Sequence, residues 1–363
     1  MKRSYWIVPF LLLALLLCGW AANSGEQRTE LRIAAASEDA ALRLLTEKFN
    51  ESQSNYQAVI DVYAQEDADR LRRDIAAGSG PDVIDLSLLS PLEDSLALED
   101  LNGYWDDAVR PEELMTTVLS SWERDGALPA VPTAFCLDTM AARRADVGDA
   151  AGWTAEDMER LWMRKGEGWL LLDGWMTQKE YVKWVASLSV GLDPESIQDN
   201  LHLAKLLPSR DADSDAWPDA PKGPSIARIA DIQNPASLAA LRQSFGEEIT
   251  LIGFPTRQGG GHFFRSIGPL LAISAESRHK DAAWQLIALA LGHAYQKEMT
   301  ALCGGFSIRR DVWEAALTEA LNQSDGFTER EASQLRDLTD RKLPVTKHDP
   351  AAADWYLTQL TGE

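Results

Sequence analysis

The chain has 363 residues, 45% of them hydrophobic and 25% charged, with a formal net charge of −21. That length accommodates two domains of ordinary size, and the composition argues against global disorder. So acidic a chain would be repelled by nucleic acid and by an anionic membrane surface, so neither is expected as a partner. The N-terminus opens with Lys2-Arg3, an apolar run from Trp6 to Leu17, Cys18 and a polar stretch from Asn23 to Glu30. That is the order of a secretory signal, so residues 1–22 are expected to direct export and 23–30 to form a short linker.

Cys18 directly after the apolar run resembles the lipid-attachment cysteine of bacterial lipoproteins, although Leu17 stands where a small residue is usual. Cleavage between Ala21 and Ala22 is the alternative, and a retained anchor over residues 5–22 is a third. All three readings imply export. The other cysteines, Cys136 and Cys303, show no zinc spacing and are expected as buried free thiols. No metal and no cofactor are expected.

Regular alternation follows. Leu31 to Ala36, Ala58 to Tyr63 and Val83 to Leu86 read as strands, the last mostly apolar and set off by Gly78, Gly80 and Pro81. Asp39 to Glu51 and Asp67 to Ala77 read as helices, with Leu42, Leu45 and Phe49 at helical spacing in the first. The order predicts a βαβαβ unit of an open parallel sheet, whose ligands bind beyond the carboxyl ends of the strands. Those ends carry Ser37, Glu38 and Ser87.

Further on, 114–122 reads as a helix, and 126–135, with two prolines, as an extended crossover. Thr154 and Asp157 predict a capped helix start. Trp169 to Leu172 reads as a strand, Asp173-Gly174 as a turn and 177–188 as an amphipathic helix. The stretch from Leu188 to Pro208 reads as abridged. Residues 208–226, acidic and proline-rich around Asp213, read as a long solvated loop without calcium-loop spacing. Ile249 to Phe254 and Gly268 to Ser274 read as strands flanking a glycine-rich loop, 255–266. One long helix is predicted through Trp284, Ile287, Leu291, Tyr295, Met299 and Leu302, ending at Gly304-Gly305, then a further helix over 308–321.

Several segments together resemble the extracellular solute-binding protein family 1, the sugar-type lipoproteins of bacterial ABC importers. They are the exported N-terminus with Cys18, Leu31-Arg-Ile33 followed by Leu44-Leu-Thr-Glu-Lys-Phe-Asn50, and Ile75-Ala-Ala-Gly-Ser-Gly-Pro-Asp-Val-Ile-Asp-Leu86. Ile249 to Pro255, Gly268 to Ser274, Lys280-Asp-Ala-Ala-Trp284 and Gly304-Gly-Phe-Ser-Ile308 complete the set. The resemblance implies an α/β fold of the periplasmic-binding type II kind. Two lobes, each with an open, mostly parallel sheet, would be joined by a hinge. The first lobe is expected over 31–130 and the second mainly over 131–274, with a helical region, 275–363, packing on both. It also implies a monomer that binds a small solute, most readily a carbohydrate, and delivers it to an ABC transporter permease, held at the membrane by a lipid anchor.

Sugar sites pair flat aromatic faces with planar polar groups. On that basis the expected ligand-binding residues are Ser37, Glu38, Ser87, Trp175, Gly260, Phe263, Phe264 and Arg265. The competing readings are packing for Trp175 and the two phenylalanines, a plain hairpin for Gly259 to Gly261, and a helix-start role for Glu38. The 13 Trp serve core packing or sugar stacking. A sensor or adhesin is the alternative to a transport component. An exported hydrolase is the other, but the five His show neither metal spacing nor a nucleophile elbow.

Overall fold

The computed structural model describes residues 28–64, 67–87, 96–149, 152–188, 192–209, 222–323 and 326–340. The signal-like N-terminus with Cys18, most of the acidic loop and the last 23 residues (341–363) lie outside the described residues.

The opening unit forms as its pattern predicts. β1 (Thr29–Ala35) buries Leu31 and Ile33, and pairs in parallel with β2 (Tyr56–Val62) on one side and β3 (Val83–Asp85) on the other. Between them run α1 (Ala40–Ser52) and α2 (Ala68–Ala76). Asp39 caps α1 by accepting from the Leu42 amide at 2.7 Å, and Leu42, Leu45 and Phe49 form its buried face. Next come a short α3 (Thr116–Leu119) and β4 (Val131–Pro132). β4 and a later strand, β9 (Leu270–Ile273), complete the first sheet in the order β2-β1-β3-β9-β4. β9 is antiparallel to both β3 and β4. The stretch 131–274 therefore supplies strands to both sheets.

The second sheet is built around β5 (Ala134–Arg143), with β6 (Ala227–Ile232), β7 (Ile249–Leu251), β8 (Phe263–Ser266) and β10 (Phe306–Ser307). All four pair with β5 in antiparallel fashion. The expectation of a mostly parallel second sheet is thus corrected. Phe135 is opposite both Phe306 and Ser266, so β10 and β8 flank opposite edges of β5. Leu137 and Asp138 pair with β6 and β8 in the same way, which puts β6 on the β10 side.

Residues directly opposite in an antiparallel pair share a face. On one face Leu137, Ile232, Ile249, Leu251 and Phe264 pack with α8 (Pro235–Phe245), α11 (Arg310–Asn322) and α12 (Glu329–Asp340). On the other, Met140, Ala142, Ala227 and Phe263 pack under α5 (Ala155–Lys165), α6 (Gln178–Leu188) and α7 (Pro194–Ala204). A one-turn α4 (Arg144–Val147) follows β5. The capping box of Thr154 with Asp157 is present.

Three other expectations change. Residues 169–172 make a single bridge, Leu170 with Ser225, rather than a strand. The stretch read as abridged carries α7, which an Asp193 cap and Pro194 at its first turn start. The long C-terminal helix is two, α9 (Lys280–Leu291) and α10 (His293–Cys303). Gly292 separates them in an extended conformation, φ −72° and ψ 148°. Both pack against α1. Cys136 and Cys303 are free, the first buried and the second partly so.

Candidate functional site

The chain passes between the two sheets at three places. Pro132 ends β4 and Ala134 begins β5; Ser266 ends β8 and Leu270 begins β9; Cys303 ends α10 and Phe306 begins β10. The first two crossings are bonded side by side. The amide and Oγ1 of Thr133 both donate to the Pro269 carbonyl at 3.0 Å, and the Ile267 amide donates to Ala134 O at 3.2 Å. They approach so closely that a Cβ on Gly268 would lie 2.7 Å from Thr133 Oγ1. Gly305, on the third crossing, leaves room for the Ile267 side chain. These three closely spaced, multiply bonded crossings, set within an apolar cluster that joins the two sheets, are where a hinge would lie.

The crossings leave the first sheet at one edge only. Pro132 pairs with Leu270, and the Leu86 amide donates to Leu270 O at 2.8 Å. That edge is the carboxyl end of β1 and β3, where Ser37, Glu38 and Ser87 stand. Ser37 and Glu38 are exposed and Ser87 is half-buried. The Ser87 amide donates to Asp85 Oδ1 at 3.0 Å, and the Leu270 amide donates to the same oxygen at 2.9 Å. Asp85 therefore ties the site edge to the crossing. Burial pushes its carboxyl up to about 6, against the lowering effect of these hydrogen bonds.

On the second sheet, the face covered by α5 to α7 is apolar far from the crossings and polar near them. Cys136, Asp138, Arg265 and Asp231 form the polar part, as the pairs Cys136–Arg265 and Asp138–Asp231 require. Arg265 Nε donates to Asp138 Oδ2 at 3.0 Å. Its Nη2 donates to Asp138 Oδ1 at 3.3 Å and to Asp231 Oδ2 at 2.8 Å. Gln233 Nε2 donates to Asp231 Oδ2 as well, at 3.0 Å. Burial works against the Arg265 charge, but the hydrogen bonds and attraction of Asp138 outweigh it and raise its pKa above the ordinary value. Thiol and carboxylate atoms of Cys136, Asp138 and Asp231 lie within 4.8 Å of one another. The guanidinium already occupies both carboxylates, so a metal cation would meet a fixed positive charge there. Burial pushes the Cys136 thiol pKa far up, which keeps it protonated and a poor metal ligand.

Other expected site residues are placed differently. Phe263 and Phe264 are 1% and 3% exposed, because successive strand residues point to opposite faces and both faces of this sheet are covered. Phe263 packs on Phe254 and Phe264 edge-on to Phe135. Neither ring is offered to a ligand in this conformation. Gly260 is part of a tight hairpin closed by the Phe254 and Gly261 amides and carbonyls, both at 2.7 Å. A Cβ there would lie 2.6 Å from the Gly152 backbone, so its bareness serves packing against that strand of chain. Trp175 is 55% exposed, the one aromatic among the exposed large hydrophobic residues described. Its loop is pinned through Asp173, which accepts from Ser225 Oγ at 2.9 Å and pairs with Arg228 at 3.0 Å. Sequence reading passed over Asp138, Asp231 and Gln233; the usable signal was a single acid inside each of two apolar strands.

A shallow cavity of about 200 Å³, lined by Arg32, Ser79, Asp82 and Ser277, lies at the opposite, amino-terminal edge of the first sheet. Its polar groups satisfy one another: Arg32 bonds Ser79, and Ser277 bonds Asp82. It is remote from the crossings.

Comparison with solved structures finds the same fold at low identity. The sugar-binding protein MalE of Xanthomonas citri is 19% identical, with a TM-score of 0.62 over 92% of this chain and 93% of that one. The cyclic alpha-maltosyl-1,6-maltose binding protein of Arthrobacter globiformis is 17% identical, with a TM-score of 0.57 over 93% and 94%. An ABC substrate-binding protein of Listeria monocytogenes, in complex with cycloalternan, is 16% identical, with a TM-score of 0.54 over 93% and 94%. A search of curated protein sequences gave no match. The family model for bacterial extracellular solute-binding proteins matches residues 45–324. With a two-lobed fold, a triple crossing and polar groups on both sides of it, the chain belongs to the bacterial extracellular solute-binding protein family.

Proposed function

We propose that the protein captures a sugar or oligosaccharide between its lobes and passes it to the permease of an ABC importer. It would work as a monomer outside the cytoplasmic membrane, held there by lipid on Cys18. The observation that carries the reading is the presence of polar groups on both sides of the crossings, and Trp175, a half-exposed indole on a pinned loop, is the aromatic face assigned to it. An exposed flat apolar face costs solvation unless a ligand's C–H surface covers it. The polar complement is Ser37, Glu38 and Ser87 on one lobe and Arg265 with Asp138 and Asp231 on the other. Structural neighbours described as a sugar-binding protein and a cyclic alpha-maltosyl-1,6-maltose binding protein support the same reading.

The test is a thermal-shift screen of the exported domain against mono- and oligosaccharides, since a ligand of the folded state raises its melting temperature. Calorimetric titration of Trp175→Ala with the best hit should then show affinity lower by roughly tenfold, the equivalent of about 1.4 kcal/mol, at unchanged melting temperature. The sugar recovered afterwards should be chemically unchanged. Wild-type affinity in Trp175→Ala would remove the indole from the site.

The lipid anchor has its own test. Cells fed labelled palmitate should label the wild-type protein and not Cys18→Ala. Labelling of both, or of neither, sinks the anchor and favours cleavage after Ala21.

A further inference from the structure

We infer that the site selects uncharged polyhydroxylated ligands against acidic ones, and that the carboxylate-held guanidinium of Arg265 makes the selection. The inference rests on the sugar-binding reading and narrows its substrate class. An arginine facing a cleft would ordinarily be taken as a receptor for carboxylate or phosphate. Here Nε and both hydrogens of Nη2 are committed to Asp138 and Asp231. The third nitrogen, Nη1, has no partner among the described residues, and the side chain is 45% exposed. What faces outward is a pair of N–H donors on a plane fixed from behind.

Charge decides what those donors accept. Asp138 and Asp231 against Arg265 leave the cluster with one net negative charge, in a chain whose total is −21. An approaching carboxylate meets one positive charge with two negative ones close behind it, so its attraction is largely cancelled and its desolvation uncompensated. Hydroxyl oxygens need only the donors. Their own O–H groups can donate in turn to the carboxylate of Asp231, whose side chain is 31% exposed. A donor pair beside an acceptor suits neighbouring hydroxyls on a sugar ring.

The test titrates the exported domain with maltotetraose and with the same tetrasaccharide oxidised at C6 to uronates, at pH 7.5. Wild type should bind the neutral sugar at least tenfold more tightly. Asp231→Asn leaves Arg265 held by both Asp138 oxygens but uncovers its charge. It should shrink the preference tenfold or more, and the shrinkage should fade in high salt. Circular dichroism and melting temperature confirm that the variant is folded. Equal wild-type affinity for the two sugars overturns the selection while leaving sugar binding intact. Equal weakening of both by Asp231→Asn overturns the role of the charge. If wild type binds neither, the sugar reading fails for this ligand class and takes the inference with it.

Discussion

Phe263→Ala and Phe264→Ala should each destabilise the protein by about 3–5 kcal/mol, the usual cost of deleting a fully buried ring. The two rings belong to different cores. Phe263 is shared with Phe254 under α5 to α7, whereas Phe264 lies edge-on to Phe135 at 5.5 Å on the side of α8 and α11. Both sit on β8, which leads into the second crossing, so either cavity loosens the strand that carries Arg265. Urea unfolding followed by tryptophan fluorescence measures the effect as a lower transition midpoint. A ligand-stacking role, the reading their place after three glycines suggested, predicts the reverse: an unchanged midpoint and weaker sugar binding. That result would show that the rings leave the core when ligand binds.

Asp85→Asn should make the protein more stable at neutral pH and flatten part of its pH profile. The Asp85 carboxyl is 3% exposed and titrates at about 6 in the fold, against 3.8 for the ordinary group. Between those values the folded state keeps a proton that the unfolded chain has released. Stability from this group is therefore full below about pH 4, falls as pH rises through the window, and is lost above about 6. A shift of about two units corresponds to roughly 3 kcal/mol. Both amides donate to one oxygen, Oδ1, which the Asn carbonyl can replace. The stability difference between variant and wild type should grow from pH 4 to pH 7 and then level off. Using the difference matters, because exposed carboxylates such as Asp149, held near 2 by Arg144 and Arg330, change stability in the opposite sense. A difference that does not vary with pH would place the Asp85 titration outside this window.

The sequence by itself determined the elements whose information is local. The opening βαβαβ unit was legible because its strands and helices carry their own caps and periodicities, such as Asp39 before Leu42, and the start of α5 was legible from the Thr154–Asp157 box. The place of Ser37, Glu38 and Ser87 followed, since in a parallel sheet the carboxyl end is fixed by strand direction alone. Family motifs spread along the chain identified the two-lobed class.

Tertiary structure decided what depends on a distant partner. The antiparallel second sheet is set by four strands meeting β5 from far along the chain, and no local pattern distinguishes that from parallel pairing. Phe263 and Phe264 read as exposed beside three glycines, but which ring is buried depends on what covers each face. The helical stripe from Trp284 to Leu302 ran unbroken in sequence, yet docking on α1 uses two segments set at an angle by Gly292 and leaves Leu302 54% exposed. The Arg265 cluster joins residues 127 and 34 positions apart. Charge compensation is a property of separation in space, so only the folded chain could show that Arg265 is held between Asp138 and Asp231.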